Sequence, residues 1–226
     1  MMATSWRPEA TATRRGHLRL VRDDVSGLLA HDLKTPLAAI AMNIDFALGE
    51  LGPGAPASVR GALEDCRESN HHAVEIVSDM VDALQLVTGR RRVQVAPVDV
   101  QARLAGSVQR VAADAVARGI GFAWSSEPAS MLGDAELFDR AVARLLDRAL
   151  RYARAGGSID VTLKQRSVVI SVASPDGAAD VPESEATAQS LATHFADAVM
   201  RAHGGAAWSE AGADGALVFV LSLPAE

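Results

Sequence analysis

His31-Asp32-Leu33-Lys34-Thr35-Pro36-Leu37 lies inside a helical pattern, and the reading of that stretch decides the fold. Around it, Ala30, Leu33, Leu37, Ile40, Ile44, Ala47 and Leu51 repeat at alternating spacings of three and four, the stripe of a helix packed in a bundle. The pattern predicts a helix from about Leu18 to Leu51, with residues 1–17 as a flexible polar tail. Gly52-Pro53-Gly54-Ala55-Pro56 breaks the chain. Ser58 is the expected N-cap of a second helix. Its stripe reads Val59, Leu63, Cys66, Asn70, Ala73, Val77, Met80 or Val81, Leu84 and Val87, with Gly89 as the stop. Two long helices joined by a short turn form an antiparallel hairpin. One hairpin buries its stripes poorly, whereas two packed as a four-helix bundle bury them well, so the expected state is a homodimer. Asn70 is the polar exception in the stripe and reads as a register device.

Beyond Arg90-Arg91-Arg92 the pattern changes, which divides the chain into a helical domain over 18–90 and a second domain over 91–226. Val93 to Val95 reads as a short strand, and Pro97-Val98-Asp99-Val100 leads into a helix ending near Gly119. Ile120 to Trp124 is a strand. Ala135 to Ala153 is an amphipathic helix with Phe138, Val142, Leu145, Leu146, Ala149 and Leu150 on one side. Strands follow at Ser158–Leu163 and Val168–Ala173, then a helix from about Leu191 to Ala202 stopped by Gly204-Gly205. Two last strands fall near Ala206–Glu210 and Ala216–Leu223. Helices over a mixed sheet make the whole α+β.

Composition narrows the function classes. The chain has 226 residues, of which 49% are apolar and 22% charged, enough for real cores in one or two domains. A net charge of -6 argues against nucleic acid or anionic lipid as partner. No apolar run approaches the ~20 residues that cross a bilayer, and the N-terminus has no secretory core. The single Cys66 fits a reducing compartment, so a cytoplasmic protein is expected, and no Cys/His spacing suggests a metal site.

The chemistry centres on His31, which lies off the apolar stripe and should face solvent. A neutral imidazole is a good nucleophile when one ring nitrogen is free. Asp32 is placed to hold the other ring nitrogen as N–H. Pro36 removes a backbone donor and crowds the carbonyl of Asp32, which should bend the helix near His31. Thr35, one turn on, can orient a water toward an acyl phosphate held opposite. A plain exposed histidine beside an acid is the bland alternative for a bare His-Asp pair.

Residues 31–37 resemble the acceptor box of the sensor histidine kinases, His-Glu/Asp-x-x-Thr/Asn-Pro-Leu, and the match is complete. Most of residues 97–224 resembles the catalytic and ATP-binding domain of that family, an α/β sandwich, through Leu132-Gly133-Asp134, the helix to Tyr152, Gly156-Gly157-Ser158-Ile159 and Ala202-His203-Gly204-Gly205. The resemblance also shows departures. Arg144 and Arg148 stand where the family has the asparagines that lead to magnesium, and a guanidinium cannot ligate a hard cation. Ser174 stands where an aspartate takes the adenine amine. Ser190-Leu191-Ala192-Thr193 replaces the Gly-x-Gly that admits phosphates, so Ser190 and Ala192 stand for its glycines. The lid is reduced to Ala179–Gln189. Together these imply a degenerate domain with no tightly bound cofactor and no ATP use of the family's kind. Against this, Arg144 and Arg148 could grip phosphates directly, or simply be solvated charge on the outer helix face. His203 resembles a packing residue, and His71-His72 read as surface residues.

An intact acceptor over a degenerate nucleotide site resembles the dimeric histidine phosphotransferases built like a kinase. That implies phosphoryl exchange between His31 and the aspartate of response-regulator receiver domains, which bring their own magnesium. A response-regulator phosphatase using Asp32 and Thr35, an unorthodox sensor kinase, and a non-catalytic dimeric adaptor are the alternatives.

Overall fold

The computed structural model describes residues 11–173, 190–212 and 215–224, and within the first helix the side chains from His31 on. The chain divides into two compact units, one running to Val81 and one from Asp82.

The first unit is a helical hairpin. Helix α1 spans Thr11–Glu50 and helix α2 spans Ala57–Val87. The first helix thus begins at Thr11 rather than near Leu18. Thr11 to His17 carry no apolar stripe, but the alanine and arginines among them favour helix without one. The second helix starts at Ala57, directly after Pro56, so Ser58 lies inside the first turn and is not the cap. The amides of Val59 and Arg60 both donate to the Pro56 carbonyl, at 3.0 and 3.3 Å. The Arg60 guanidinium reaches back to the Leu51 carbonyl at 3.4 Å, satisfying one orphan acceptor at the end of α1. Within the first unit Ile44 and Val77 are the buried apolar residues among the described side chains; Asp79 is buried there as well, and so is Asn70. Its Nδ2 donates to the Leu37 carbonyl at 3.1 Å, while its Oδ1 meets no donor within the described residues. An acceptor stranded that way costs about 1–3 kcal/mol.

The second unit opens with the last turn of α2. Leu86 belongs to its core, and Asp82 accepts from both Arg91 and Arg140, the latter at 2.6 Å. The short strand expected at Val93–Val95 falls instead on β1, Ala96–Asp99. Upstream of it, the Gln94 amide is taken by the Asp134 carboxylate at 3.2 Å, a side-chain partner that ends strand pairing there. Asp99 then caps α3, Val100–Ala117, its Oδ1 accepting from Ala102 N at 2.9 Å. Strands β2, Gly121–Ser126, and β3, Ser130–Gly133, follow. The pairing of β3 with β1 gives no alternation long enough to see in sequence. Next come α4, Ala135–Tyr152, β4, Ser158–Lys164, and β5, Ser167–Ala173. Helix α5, Leu191–Ala202, and strands β6, Ala206–Ala211, and β7, Leu217–Ser222, complete the described fold.

The larger sheet runs β2-β4-β5-β7-β6, with β2 parallel to β4 and the other pairs antiparallel. Its strands alternate with period two. Ile159, Val161 and Leu163 of β4, Val168, Ile170 and Val172 of β5, and Phe219 and Leu221 of β7 point into one core. Phe138, Leu145, Leu146 and Phe195 of the helices join that core. The architecture is a helical hairpin followed by a two-layer α/β sandwich, an α+β chain.

Candidate functional site

His31 sits on α1 with its side chain exposed, as do Asp32, Lys34, Thr35 and Pro36. Pro36 has no N–H to give the Asp32 carbonyl, so the helical ladder is interrupted one turn after the histidine. The Thr35 hydroxyl donates to the His31 carbonyl at 3.0 Å. That bond uses the hydroxyl proton and leaves the oxygen's lone pairs turned outward. Among the described residues no hydrogen bond joins Asp32 to the His31 ring, because successive side chains on a helix diverge by about 100°. Exposure leaves the ring accessible to a partner. Helical spacing also places Thr35, Ala38, Met42 and Phe46 on the His31 side of α1, opposite the Leu37, Ile40 and Ile44 stripe. Met42 is 73% exposed and Phe46 69%. Sequence reading passed over these two, although their offsets from His31 were the available signal.

The second set of predicted positions lies on α4 and α5. Arg144 is largely sheltered, its side chain 17% exposed, with Nη1 3.9 Å from Asp147. Arg148 lies over the Tyr152 ring, 4.9 Å from its centroid. Both side chains are half-buried along α4. Neither position offers an oxygen donor. Ser190 caps α5, its Oγ accepting from Thr193 N at 3.1 Å and lying 3.1 Å from Thr193 Oγ1. His194 Nδ1 donates to the Ser190 carbonyl at 3.0 Å. The first turn of α5, including Ala192, thus has an amide donor already engaged by its own cap. Ser174, the Asp176-Gly177 pair and the Ala179–Gln189 stretch lie outside the described residues.

His203 is held from both ring nitrogens. Nδ1 donates to the Val199 carbonyl at 2.7 Å, and Nε2 accepts from the Asp134 amide at 2.8 Å, a pairing that assigns the neutral tautomer. Asp134 is itself buried as the α4 cap, its Oδ1 accepting from Leu137 N at 3.1 Å. His203 is accordingly a structural residue.

Asp139 was not singled out by sequence. Burial, the largest influence, raises its carboxyl above the ordinary aspartate value, although the charge and hydrogen bond of Arg103 and the charge of Arg110 pull the other way. Its Oδ1 meets no donor within the described residues, and Oδ2 accepts from Arg103 at 2.8 Å. An acid whose pKa is raised on folding contributes most below its unfolded value near 3.9, and loses that contribution as pH climbs through the folded value. Asp139→Asn should therefore flatten the acid side of the stability–pH curve, as read by chemical denaturation at a series of pH values. Among the described residues no group of three or more His, Cys, Asp or Glu side chains is arranged to hold a metal, and no helix is long and apolar enough to cross a membrane.

Comparison with known proteins adds the family. The model of the His Kinase A (phospho-acceptor) domain matches residues 22–88. The signal transduction histidine-protein kinase/phosphatase MprB of Mycobacterium avium (strain 104) is 31% identical over 155 residues, covering 68% of this chain and 28% of its own length. The protein of the same name from Mycobacterium leprae (strain TN) is 29% identical, with the same coverage. The chain thus spans under a third of the length of these relatives. Among solved structures, full-length ShkA in complex with AMPPNP gives a TM-score of 0.61 at 21% identity, over 90% of this chain and 47% of its own. Histidine kinase ThkA in complex with response regulator protein TrrA gives 0.59 at 15%, over 93% and 64%. At these identities the structures speak for the fold alone. With its matched phospho-acceptor domain and its mycobacterial relatives, the chain belongs to the two-component sensor histidine kinase family.

Proposed function

We propose that this chain is a histidine phosphotransferase of two-component signalling that holds a phosphoryl group on His31 and exchanges it with the aspartate of response-regulator receiver domains, without charging itself from ATP. One contrast carries the reading. The acceptor side is complete and open, with an exposed His31 on the same side of α1 as Met42 and Phe46, large apolar side chains that the helix stripe does not use. The nucleotide side has guanidinium groups at the metal-leading positions and an α5 turn closed on its own cap. In transfer, a neutral ring nitrogen of His31 attacks the receiver's aspartyl phosphate. The N–P bond forms as the P–O bond breaks and the carboxylate leaves, and the reverse step passes the group to a second receiver. Magnesium comes with the receiver on this reading.

The active form is a homodimer acting in the cytoplasm. Leu33, Ile40, Val59 and Ile76 stay 38–47% exposed on a single hairpin, which is the surface a four-helix bundle covers.

A second reading is favoured by one observation. The Thr35 hydroxyl spends its proton on the His31 carbonyl, so its oxygen can accept from a water and aim it at a receiver's phospho-aspartate. That is phosphatase chemistry on the same face, and the mycobacterial relatives carry both kinase and phosphatase in their name.

The test is calorimetry of the purified chain with Mg-ATP, then incubation with γ-labelled ATP, then with a phosphorylated receiver. No binding heat, no label from ATP and label arriving at His31 from the receiver are expected. Label from ATP at His31 would make the protein a self-phosphorylating kinase and overturn the reading.

A further inference from the structure

Leu37 is the last residue of the acceptor box, and its carbonyl receives a hydrogen bond from the far helix, from Asn70 Nδ2 at 3.1 Å. Asn70 is 8% exposed, on the α2 stripe whose other buried member, Val77, is apolar. An apolar residue of the same size would fill that place without stranding Oδ1. The amide also acts where α1 is weakest. Pro36 leaves the Asp32 carbonyl without its helical donor, so the turn carrying His31 joins the rest of α1 through an interrupted ladder. The Thr35 hydroxyl braces the box before that interruption, at the His31 carbonyl, and Asn70 braces it just after.

We propose that Asn70 is a positioning residue for His31. Its carboxamide fixes the backbone past the Pro36 interruption against α2, and thereby sets the angle at which the His31 ring meets the receiver's phosphorus. The proposal rests on the phosphotransfer reading given above. In-line attack needs the reacting atoms within about 3–3.5 Å and aligned, so a loosened joint five residues from the nucleophile is costly to transfer. The intrinsic reactivity of an exposed imidazole toward a small donor has no such requirement.

The test uses the full chain with Asn70→Leu, which keeps the size and removes the donor. Asn70→Asp, which keeps the shape and removes the donated proton, serves as the second variant should leucine overfill the site. Phosphoramidate is the small donor: the His31 nitrogen forms its N–P bond as the donor's own P–N bond breaks and ammonia leaves. The variants should be labelled by phosphoramidate at the wild-type rate, while transfer from a phosphorylated receiver falls by about ten- to hundredfold. Amides from Leu33 to Ala41 should exchange hydrogen faster. Unchanged receiver transfer, or equal loss with both donors, overturns the proposal. If the wild-type chain takes phosphate from no receiver, it is the phosphotransfer reading that fails. Hydrogen exchange then judges Asn70 alone, faster exchange upholding the tether and unchanged exchange ending it.

Discussion

His31→Gln is expected to abolish acceptance of phosphate from a phosphorylated receiver, reducing label on the chain to background. Glutamine keeps a polar, exposed side chain, but its amide nitrogen has no free lone pair with which to attack phosphorus. Because His31 is exposed, the same change should move folding stability by no more than about 0.5 kcal/mol, so the loss is chemical. Thr35→Ala separates the two readings of the site. It removes the hydroxyl and its bond to the His31 carbonyl, while alanine favours helix more than threonine does. Transfer to His31 should survive, and loss of phosphate from the receiver to water should slow by about tenfold or more, as expected when a reactant is no longer held in place. Both are read by following label on the two proteins over time. Thr35→Ala leaving phosphate loss unchanged would remove the phosphatase reading.

The second large effect is structural. Gly205→Ala would put a Cβ 2.1 Å from the Ser222 carbonyl oxygen and 3.2 Å from the Met200 methyl. The methyl can turn aside, but the carbonyl belongs to β7 and cannot move without the strand. Gly205 also donates its amide to the Met200 carbonyl at 2.8 Å, and the next residue, Ala206, opens the pairing with Ser222. An added methyl therefore forces the strands apart where β6 begins and β7 ends. A cost of about 3 kcal/mol or more follows from overpacking against backbone. It should lower the melting of the sandwich while the hairpin keeps its helical signal, as measured by circular dichroism with tryptophan fluorescence. Trp124 and Trp208 both lie in the sandwich, on β2 and β6, and report on it. Melting at the wild-type temperature would mean that Ser222 is not held where the structure has it.

Long periodic segments were legible in the sequence because they bury a whole face. The stripes of α1 and α4 and the alternation of β4 and β5 each involve many residues, so no single partner decides them. What escaped reading was set by single partners far along the chain. The strand near Val93–Val95 moved to Ala96–Asp99 because Asp134 takes the Gln94 amide, a bond across forty positions. Strand β3 exists only through its four pairs with β1. At the site, His31, Thr35 and Pro36 were legible as a local motif, and their exposure and the Thr35 bond agree with solvent-facing chemistry. The relation of Asp32 to the ring was overread, since adjacency in sequence is divergence on a helix. Arg144 and Arg148 were legible as charges on α4, but their contacts with Asp147 and Tyr152 depend on rotamers that spacing does not fix.

The last turn of α2 has a consequence for how such chains can be recombined. Helix α2 runs unbroken to Val87, yet from Asp82 it is part of the sandwich, through Leu86 and through the carboxylate shared by Arg91 and Arg140. A crossover placed at the visible end of the helix would hand the sandwich a foreign turn in place of Asp82, which Arg91 and Arg140 share, and of Leu86 in its core. A viable exchange of hairpins between relatives has to cut inside the helix, ahead of Asp82. The unit that inheritance can shuffle is thus shorter than the helix that anatomy displays.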